Sequence, residues 1–475
     1  MLSAPLIEDD DDFEEVEDDF VTRETFTSME EVGVLTRFAL PLGISHASAQ
    51  LYDITDQVIL GRLGTDFLAG AASAFIWTSL IDSVLFASIE QLSTMCSQAF
   101  GAGNNPLVGE WFQLWLIGSF VLAVPAMTAR WFTSTMLETL FVLDPTICLL
   151  AGQYANIRQF AVPFDVFYLC LKAYLAAQGI VRPAMIIELI FVGVNGVLAY
   201  SLVFPFGLGF PGAAIASAIT TVARTVTLFL YAIVYKRYHR PTWFGWTIDA
   251  FQLKRIQIYL HMSVNALGVL AEGVVWQIMS GMAARQGSAA LAAHDLSLSI
   301  LGLLAVFGSG LGAAIGVRLG AALGDNRIDS AKRTYRVGLT LTFALGLVLG
   351  AIELTCGKVL AELASTDPAV LDTMAALQPL VALVIALQLV WWPIYEVLLK
   401  QGRAAAAGII TAICGLVFML PLAYVFTTVY PWGVVGIWLG ILGGYSIAMA
   451  IELRMIVSSD WTLLAKQARL RSEVG

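Results

Sequence analysis

Long apolar stretches separated by short polar segments run through the chain from residue 33 to residue 458. A helix needs about 20 mostly apolar residues to cross the hydrocarbon core of a bilayer. Stretches of that length predict membrane-spanning helices at residues 35–60, 67–97, 111–132, 147–178, 183–205, 211–236, 256–284, 290–322, 333–355, 370–400, 404–427 and 431–457. The pattern therefore predicts an all-α integral membrane protein with twelve transmembrane helices.

Short fragments of the first half return in the second half 221 to 223 positions later. They are residues 62–64 and 285–287, residues 103–105 and 324–326, residues 178–179 and 401–402, and Gly212 and Gly433. Internal repeats in an apolar chain are typical of transporters, whose binding sites lie where the repeats meet. The duplication predicts two pseudo-symmetric lobes of six helices each.

The polar segments give the boundaries of these lobes. They divide the chain into an acidic, disordered tail at 1–32, an N-lobe at 33–236, a linker at 237–255, a C-lobe at 256–458 and a C-terminal tail at 459–475. The tail lacks the basic and apolar pattern of a signal peptide. Lysine and arginine collect in the loops on one side, which the positive-inside rule assigns to the cytoplasm. We expect both termini to be cytoplasmic, in a plasma membrane or a vacuolar membrane.

The composition agrees with a chain built for lipid. It is 58% hydrophobic and 13% charged, whereas a soluble domain carries roughly 25% charged residues. The net charge of −10 comes mostly from the first 30 residues, so it says little about the membrane part. The five cysteines are scattered without a CxxC pair and indicate neither disulfides nor a metal site.

The seventh apolar stretch carries an acid in its middle. A charge in the bilayer core needs a partner or a use, because its burial costs a few kcal/mol or more. Counting back along a regular helix from Glu272, Asn265 and His261 fall on the same face, and Trp276 follows one turn later. A polar face should line a cavity, since lipid cannot solvate it. We interpret Glu272 as a carboxylate for which an organic cation and a proton compete.

The first apolar stretch carries a second polar face. Gln50, Asp53 and Asp56 follow one another at intervals of three residues, and His46 precedes Gln50 by four. Two carboxylates one turn apart repel each other, so one of them should readily hold a proton. This face is a candidate second proton site, or a sodium site if both acids are ionised. The repeat offset places Met279 opposite Asp56 and Ala49 opposite Glu272, so each acid belongs to one lobe.

Other charges within the apolar stretches predict ion pairs. Glu396 and Lys400 stand four residues apart and should pair along one helix. Arg224 is a possible partner for Glu188 on the preceding stretch. Three further acids lie mid-helix without an explained role, Asp82, Glu90 and Asp165, and Arg158 is a possible partner for Asp165.

Four motifs resemble those of the multidrug and toxic compound extrusion (MATE) family. They are the segment Thr-Met-Cys-Ser-Gln-Ala-Phe-Gly-Ala-Gly-Asn at 94–104, Ala-Gln-Gly at 177–179 with Pro183, Leu-Ala-Ala-His at 291–294, and Val-Arg-Leu-Gly at 317–320. Their order and spacing match over nearly the whole transmembrane region. The resemblance implies two six-helix lobes forming a V around a central cavity, and cation-coupled export of organic substrates.

The resemblance also bears on individual site residues. Eukaryotic members carry Glu-Trp-Trp-x-aromatic-Glu in the seventh helix. This chain keeps the first acid as Glu272 and an aromatic as Trp276, whereas Gln277 replaces the second acid. Gln388 stands where some members hold an acid in the tenth helix. Asp56 is similar to the first-helix acid of prokaryotic members, so the chain combines two patterns.

These observations favour a proton-coupled antiporter that exports organic cations and xenobiotics by alternating access. The expected partners are small organic cations and the lipid bilayer, with no nucleic acid, and the chain is expected to act as a monomer. We expect no cofactor, and we expect a proton or sodium to be the coupling ion. The alternatives are sodium-coupled antiport, export of organic acids or glycosides, and a lipid flippase of the same two-lobe plan. An enzyme is disfavoured because no catalytic motif such as His-Glu-x-x-His occurs.

Overall fold

A computed structural model of the chain describes residue 21 and residues 23–25, 27–140, 144–365, 367–430 and 432–473. In this part of the chain the secondary structure is helical, with no strand. Of the tail predicted at 1–32, residues 1–20, 22 and 26 lie outside the described residues. The all-α fold expected from the apolar pattern is confirmed.

Twelve helices of membrane length follow one another in the described part of the chain. They are α1 (Ser28–Leu63), α2 (Thr65–Gly101), α3 (Asn105–Trp131), α4 (Pro145–Ala177), α5 (Arg182–Val203), α6 (Phe210–Tyr235), α7 (Leu253–Ala284), α8 (Ser288–Gly324), α9 (Ile328–Ala364), α10 (Pro368–Lys400), α11 (Ala404–Val429) and α12 (Val434–Val457). Among the described residues, eleven of these helices are apolar enough to span a membrane by composition. The other is α1, which is 36 residues long and carries Asp53 and Asp56.

The first helix begins before the expected lobe boundary at residue 33. A capping box starts it: Thr27 Oγ1 accepts a hydrogen bond from Glu30 N at 3.2 Å, and Glu30 Oε2 accepts one from Thr27 N at 3.0 Å. Glu31 is then buried at 1% exposure. Described residues of the expected disordered tail are thus ordered, because caps and ion pairs, which an apolar pattern does not reveal, stabilise this turn. The expected C-terminal tail likewise contains a helix, α13 (Trp461–Glu473).

The linker between the lobes is packed onto α3 of the N-lobe. Gln113 Nε2 donates to Gly245 O at 2.8 Å, and Thr247 N donates to Gln113 Oε1 at 3.0 Å. The linker contains a short 3-10 helix, Ile248–Phe251, and α7 begins at Leu253. The buried side-chain amide of Gln113 therefore holds the linker against the first lobe, because its N–H group donates to the linker and its oxygen accepts from it.

The duplication is visible in the backbone at the turns. Gly64 and Gly287 both precede a helix in an extended, positive-φ conformation (φ 155° and 117°). Gly179 and Gly402 follow α4 and α10 with φ of 94° and 77°. Gly209 and Gly433 cap α6 and α12 with nearly identical angles, φ/ψ 59°/−138° and 61°/−142°. Gly433 therefore corresponds to Gly209 by conformation, whereas the sequence match had paired it with Gly212.

The two lobes, α1–α6 and α7–α12, meet mainly where α8 crosses α1 and α2. Small residues let the backbones approach closely. A Cβ atom on Gly101 would lie 2.1 Å from Ala321 O, and one on Gly310 would lie 2.5 Å from Gly43 Cα. Such crossings are typical of helix packing in lipid, where close van der Waals contact replaces the hydrophobic effect.

An ion pair also joins the lobes at the end of the bundle where α1 begins and α12 ends, which we call the terminal side. Arg318 of α8 donates to both oxygens of Glu31 of α1, from Nε at 2.7 Å and from Nη2 at 2.9 Å. Thr334 of α9 donates to the same carboxylate at 2.6 Å. All three side chains are buried. The terminal side is thus closed by a fork of charged hydrogen bonds between the lobes.

We expect Gly268→Ala to destabilise the protein, because a Cβ there would lie 2.2 Å from Gly408 O, where α7 crosses α11. Overpacking of this kind costs about 1–3 kcal/mol. Gly281→Ala on the same helix is the matched control, since nothing lies within 4 Å of its Cβ position. Thermal unfolding in detergent, followed by near-ultraviolet circular dichroism, measures both variants. An equal or higher midpoint for Gly268→Ala than for Gly281→Ala would contradict the close crossing.

Candidate functional site

The N-lobe holds Asp56 in a shell of hydrogen-bond donors. Tyr154 Oη donates to Oδ2 at 3.0 Å, Ser217 Oγ donates to Oδ2 at 2.5 Å, and Asn195 Nδ2 donates to Oδ1 at 2.9 Å. The donors come from α4, α6 and α5, so four helices of one lobe meet at this carboxyl. Asp56 is only 7% exposed. The arrangement can hold a carboxylate, or a carboxyl that gains and loses a proton, without moving the backbone.

Asp53 lies one turn before Asp56 and is half-buried. Arg158 of α4 lies within electrostatic range of both acids, with its guanidinium 5.9 Å from the ring centroid of Tyr154. The predicted polar face of α1 therefore brings Asp53 and Asp56 together at one cation. Gln50 is exposed and is not part of this cluster.

His46, the fourth member of that face, points to the other lobe. Its Nδ1 lies 2.8 Å from Ser309 Oγ of α8. The polar face of α1 thus contacts α8 of the C-lobe at His46, and it contacts helices of its own lobe at Asp56. This division explains why only the second half of the expected face forms the Asp56 cluster.

The C-lobe holds Glu272 differently. Its Oε1 accepts a hydrogen bond from Tyr445 Oη of α12 at 2.6 Å. Gln388 Nε2 of α10 lies 3.5 Å from the same hydroxyl, while Gln388 Oε1 has no hydrogen-bond partner among the described residues. Glu272 is half-buried. The predicted residues Glu272 and Gln388 are brought together through a tyrosine that sequence reasoning did not name.

Aromatic rings surround this carboxyl. The ring centroid of Tyr445 lies 6.2 Å from that of Trp276 and 5.1 Å from that of Trp391. Trp391 in turn lies 5.2 Å from Tyr395. A carboxylate beside electron-rich ring faces is suited to bind a cation that also has apolar surface.

On the predicted polar face of α7, Asn265 is buried inside the protein, whereas His261 is exposed. Asn265 is fully buried, and its Oδ1 accepts a hydrogen bond from Tyr395 Oη at 2.7 Å. The regular helix is interrupted at Val264, whose N–H donates to His261 O, three residues back rather than four. This tightened turn separates His261 from Asn265 and Glu272. Gln277, next to Trp276, is half-buried.

A further acid of the C-lobe was missed. Glu452 of α12 is 0% exposed, and neither carboxylate oxygen has a hydrogen-bond partner among the described residues. It follows Tyr445 by seven residues on the same helix, so the spacing would have placed both on one face. The sequence signal was present, but Glu452 stands near the end of the last apolar stretch.

The ion pairs within the N-lobe differ from one expectation. Arg224 donates to Asp165 at 2.9 Å and stacks 4.2 Å from the ring centroid of Tyr168. Glu188 accepts from Lys172 at 3.0 Å instead. The expected pair of Arg224 with Glu188 is therefore wrong, because α6 presents Arg224 to α4. The expected pair of Glu396 with Lys400 is confirmed, at 3.6 Å.

A family comparison decides the affiliation of this two-lobe chain. The MatE family model matches residues 41–201 and matches again at residues 266–425, which together make up more than half of the chain. The chain belongs to the MatE family. The two matches fall one in each lobe, as the duplication predicted. This MatE protein is therefore a secondary transporter and an integral, multi-pass membrane protein.

Curated relatives of this MatE protein include transporters of fungi and mammals. It is 28% identical over 420 residues to multidrug and toxin extrusion protein 2 of Oryctolagus cuniculus. This match covers 88% of this chain and 69% of the relative. It is 24% identical over 452 residues to a transporter of Saccharomyces cerevisiae, over 94% of this chain. The match spans 64% of the length of that yeast relative.

Solved structures share the fold. The crystal structure of the eukaryotic MATE transporter AtDTX14 superimposes with a TM-score of 0.87 at 21% identity, over 94% of this chain and 99% of that one. A MATE structure in the bent conformation gives 0.81 at 20% identity, over 94% of this chain and 100% of that one. The V-shaped arrangement of two six-helix lobes expected from the motifs is confirmed by these neighbours.

We expect Ser217→Ala to destabilise the N-lobe, because it removes the hydroxyl that donates to Asp56. Loss of a buried hydrogen bond to a carboxyl costs about 1–3 kcal/mol. Ser201→Ala on α5 is the control, since that hydroxyl donates to Val197 O within its own helix, and its loss should change stability by less than about 0.5 kcal/mol. Unfolding midpoints in detergent measure the difference. Equal midpoints for the two variants would show that Ser217 does not support Asp56.

Proposed function

We propose that this MatE transporter exports small organic cations in exchange for protons, by alternating access of its two lobes. The observation that carries the proposal is the half-buried Glu272, which has one tyrosine hydroxyl as hydrogen-bond donor and aromatic rings around it. Fewer donors support this carboxyl than support Asp56. It can therefore exchange its proton for a bound cation, as antiport requires.

The chemistry at Glu272 is a competition. When the carboxyl is protonated it has no charge to hold an organic cation, and the cation leaves. When it loses its proton, the carboxylate attracts the next cation, whose apolar surface lies against Trp276 and Tyr445. Cation–π contacts with such rings contribute about 0.5–2 kcal/mol. Antiport follows if the two exchanges take place on opposite sides of the membrane.

Asp56 supports a second proton site in the other lobe. Its shell contains one N–H donor and two hydroxyls, each within 3.0 Å. We propose that Asp56 carries a coupling proton, and that Asp53 and Arg158 adjust how readily the proton leaves. Sodium coupling is the alternative, and the transport test below distinguishes it.

The substrate class is proposed from the acidic, aromatic character of the C-lobe site. The names of several relatives refer to multidrug and toxin extrusion, which agrees with a site that selects charge and apolar surface rather than one shape. An exporter of organic acids would need cations in place of Glu272. We propose no cofactor and no catalytic residue, and a monomer that acts on small organic cations within the bilayer, without nucleic acid.

The orientation is proposed from the basic residues of the loops. They cluster at 236–240, 254–255 and 327–336, all on the terminal side. The positive-inside rule then places the terminal side and both termini in the cytoplasm. The closed terminal side would make the described state one that faces away from the cytoplasm. The proposed location is the plasma membrane or a vacuolar membrane.

We expect Glu272→Gln and Asp56→Asn to lower the uptake of a labelled organic cation into proteoliposomes, driven by a pH gradient, by about thirtyfold or more. Removing a charge that binds a cation in a partly buried site costs about 2 kcal/mol or more, which is about thirtyfold in rate. Glu362→Gln is the control, because Glu362 is an exposed acid paired with Lys358. Wild-type uptake driven by a sodium gradient and not by pH would overturn proton coupling. Uptake of anions but not of any cation would overturn the substrate class.

We expect Trp276→Ala to raise KM for an organic cation by roughly two- to thirtyfold, as the loss of a cation–π contact predicts. Trp276→Phe should recover most of the affinity, because it keeps a ring face at the same place. Initial rates over a range of substrate concentrations separate KM from the maximal rate. An unchanged KM in Trp276→Ala would exclude this ring from the binding site.

A further inference from the structure

A cluster of charged side chains joins the two lobes away from both carboxyl sites. Glu90 of α2 stands one helical turn before Ser93, on the face of α2 that Lys400 of α10 contacts, and it lies within electrostatic range of Glu396 of α10. Lys400 Nζ lies 3.6 Å from Glu396 Oε2 and donates to Ser93 Oγ of α2 at 3.3 Å. Since α2 belongs to the N-lobe and α10 to the C-lobe, these contacts exist only while the two helices are together.

The surrounding helices are shaped around this cluster. A Cβ atom on Gly316 of α8 would lie 2.7 Å from Lys400 Cε and 3.0 Å from Glu396 Oε2. A glycine at this position therefore leaves the space that the ion pair occupies. Lys400 is 2% exposed and Glu396 is 3% exposed, whereas Glu90 is half-buried. The cluster is a built, largely dry site with one acid at its edge.

One carboxylate oxygen of the cluster lacks a hydrogen-bond donor, and an added proton would supply one. Glu396 Oε2 has no hydrogen-bond donor among the described residues, and Lys400 is beyond hydrogen-bond distance from it. Its acidic neighbour is Glu90, and a carboxylate is only an acceptor. A carboxyl group of Glu90 that carries a proton can donate to Glu396. Two ionised carboxylates beside each other in a buried site would repel each other strongly.

The other titratable groups near the pair do not replace this proton. Tyr395 on α10 faces Glu90, but its hydroxyl already donates to Asn265. On other helices packed against α2, Tyr259 of α7 lies near Ser88, Cys170 of α4 lies near Cys96, and Arg318 of α8 is paired with Glu31. Arg130 of α3 is paired with Asp82, and His46 of α1 contacts Ser309. Arg471 of α13 donates to Gln98.

We propose that Glu90 and Glu396 share one proton across the lobe boundary and form a third proton site, which is released when the terminal side opens. With the proton in place, the two acids and Lys400 sum to zero charge. Without it, the ionised Glu90 of the N-lobe lies beside the ionised Glu396 of the C-lobe, and the cluster keeps one uncompensated negative charge that is better solvated once the lobes separate. The proton therefore favours the closed terminal side. On opening, the O–H bond of Glu90 breaks, the proton passes to water on the terminal side, and Glu90 becomes a carboxylate.

The inference rests on the alternating access proposed above, and a distance measurement tests it without substrate turnover. Spin labels on Tyr235→Cys and Val457→Cys would report the separation of the lobes, because these exposed residues end α6 and α12 on the terminal side. Cys356, the exposed cysteine, is replaced by serine, while the other four are buried. In the wild-type background we expect the distance to widen as the pH rises.

In Glu90→Gln we expect this pH-dependent widening to be lost, because the glutamine amide donates to Glu396 at every pH. Glu362→Gln is the control and should widen as the wild type does. Glu396→Gln should also lose the widening, and it serves as the second variant if Glu90→Gln does not fold. A wild-type pH response in both glutamine variants would overturn the inference.

Two further observations separate this inference from the proposed function. If neither pH nor an organic cation changes the distance in the wild type, alternating access itself fails, and the shared proton fails with it. If an organic cation widens the distance but the glutamine variants respond to pH as the wild type does, only the shared proton is wrong. An infrared band of a protonated carboxyl should also be lost from wild type to Glu90→Gln, and an unchanged band would contradict the proposal.

Discussion

A charge inside a bilayer must have a partner, and this requirement organises the structure. Arg318 pairs with Glu31, Lys172 with Glu188, Arg224 with Asp165 and Arg130 with Asp82, and each pair joins two different helices. Because an unpaired buried charge costs several kcal/mol, such pairs fix which helices can be neighbours. The acids whose partners are neutral or incomplete are then the ones that remain free to do chemistry. Asp56, Glu272, Glu452 and Glu396 belong to that group.

The two lobes use one scaffold for two kinds of carboxyl site. Met279 occupies the position in the C-lobe that corresponds to Asp56, and it is fully buried. Ala49 occupies the position that corresponds to Glu272. The N-lobe acid is enclosed by hydroxyl and amide donors, whereas the C-lobe acid is bordered by aromatic rings. A site of the first kind holds a small ion in a fixed geometry. A site of the second kind tolerates ligands of varied shape, since ring faces impose little direction.

The sequence predicted the helices, the two lobes and the acids Asp56 and Glu272, because apolar length, repeats and intramembrane charge are local signals. It did not predict their partners. Tyr154 and Tyr445 stand 98 and 173 positions from the acids to which they donate, and nothing in one sequence shows which helices become neighbours. Arg224 was assigned to the wrong acid for the same reason. The tightened turn at Val264, between His261 and Asn265, also has no signal in the apolar pattern.

The matched turns of the two halves show how a duplicated backbone is inherited. Gly103 has φ of 73°, and Asn326, which stands 223 positions later, has φ of 59°. The residue has changed from glycine to asparagine, one of the few side chains that tolerate this conformation. The left-handed backbone conformation of this turn is therefore the same in both halves, although the residue type differs. The duplication is therefore recorded in the spacing between left-handed residues as well as in the repeated sequence fragments.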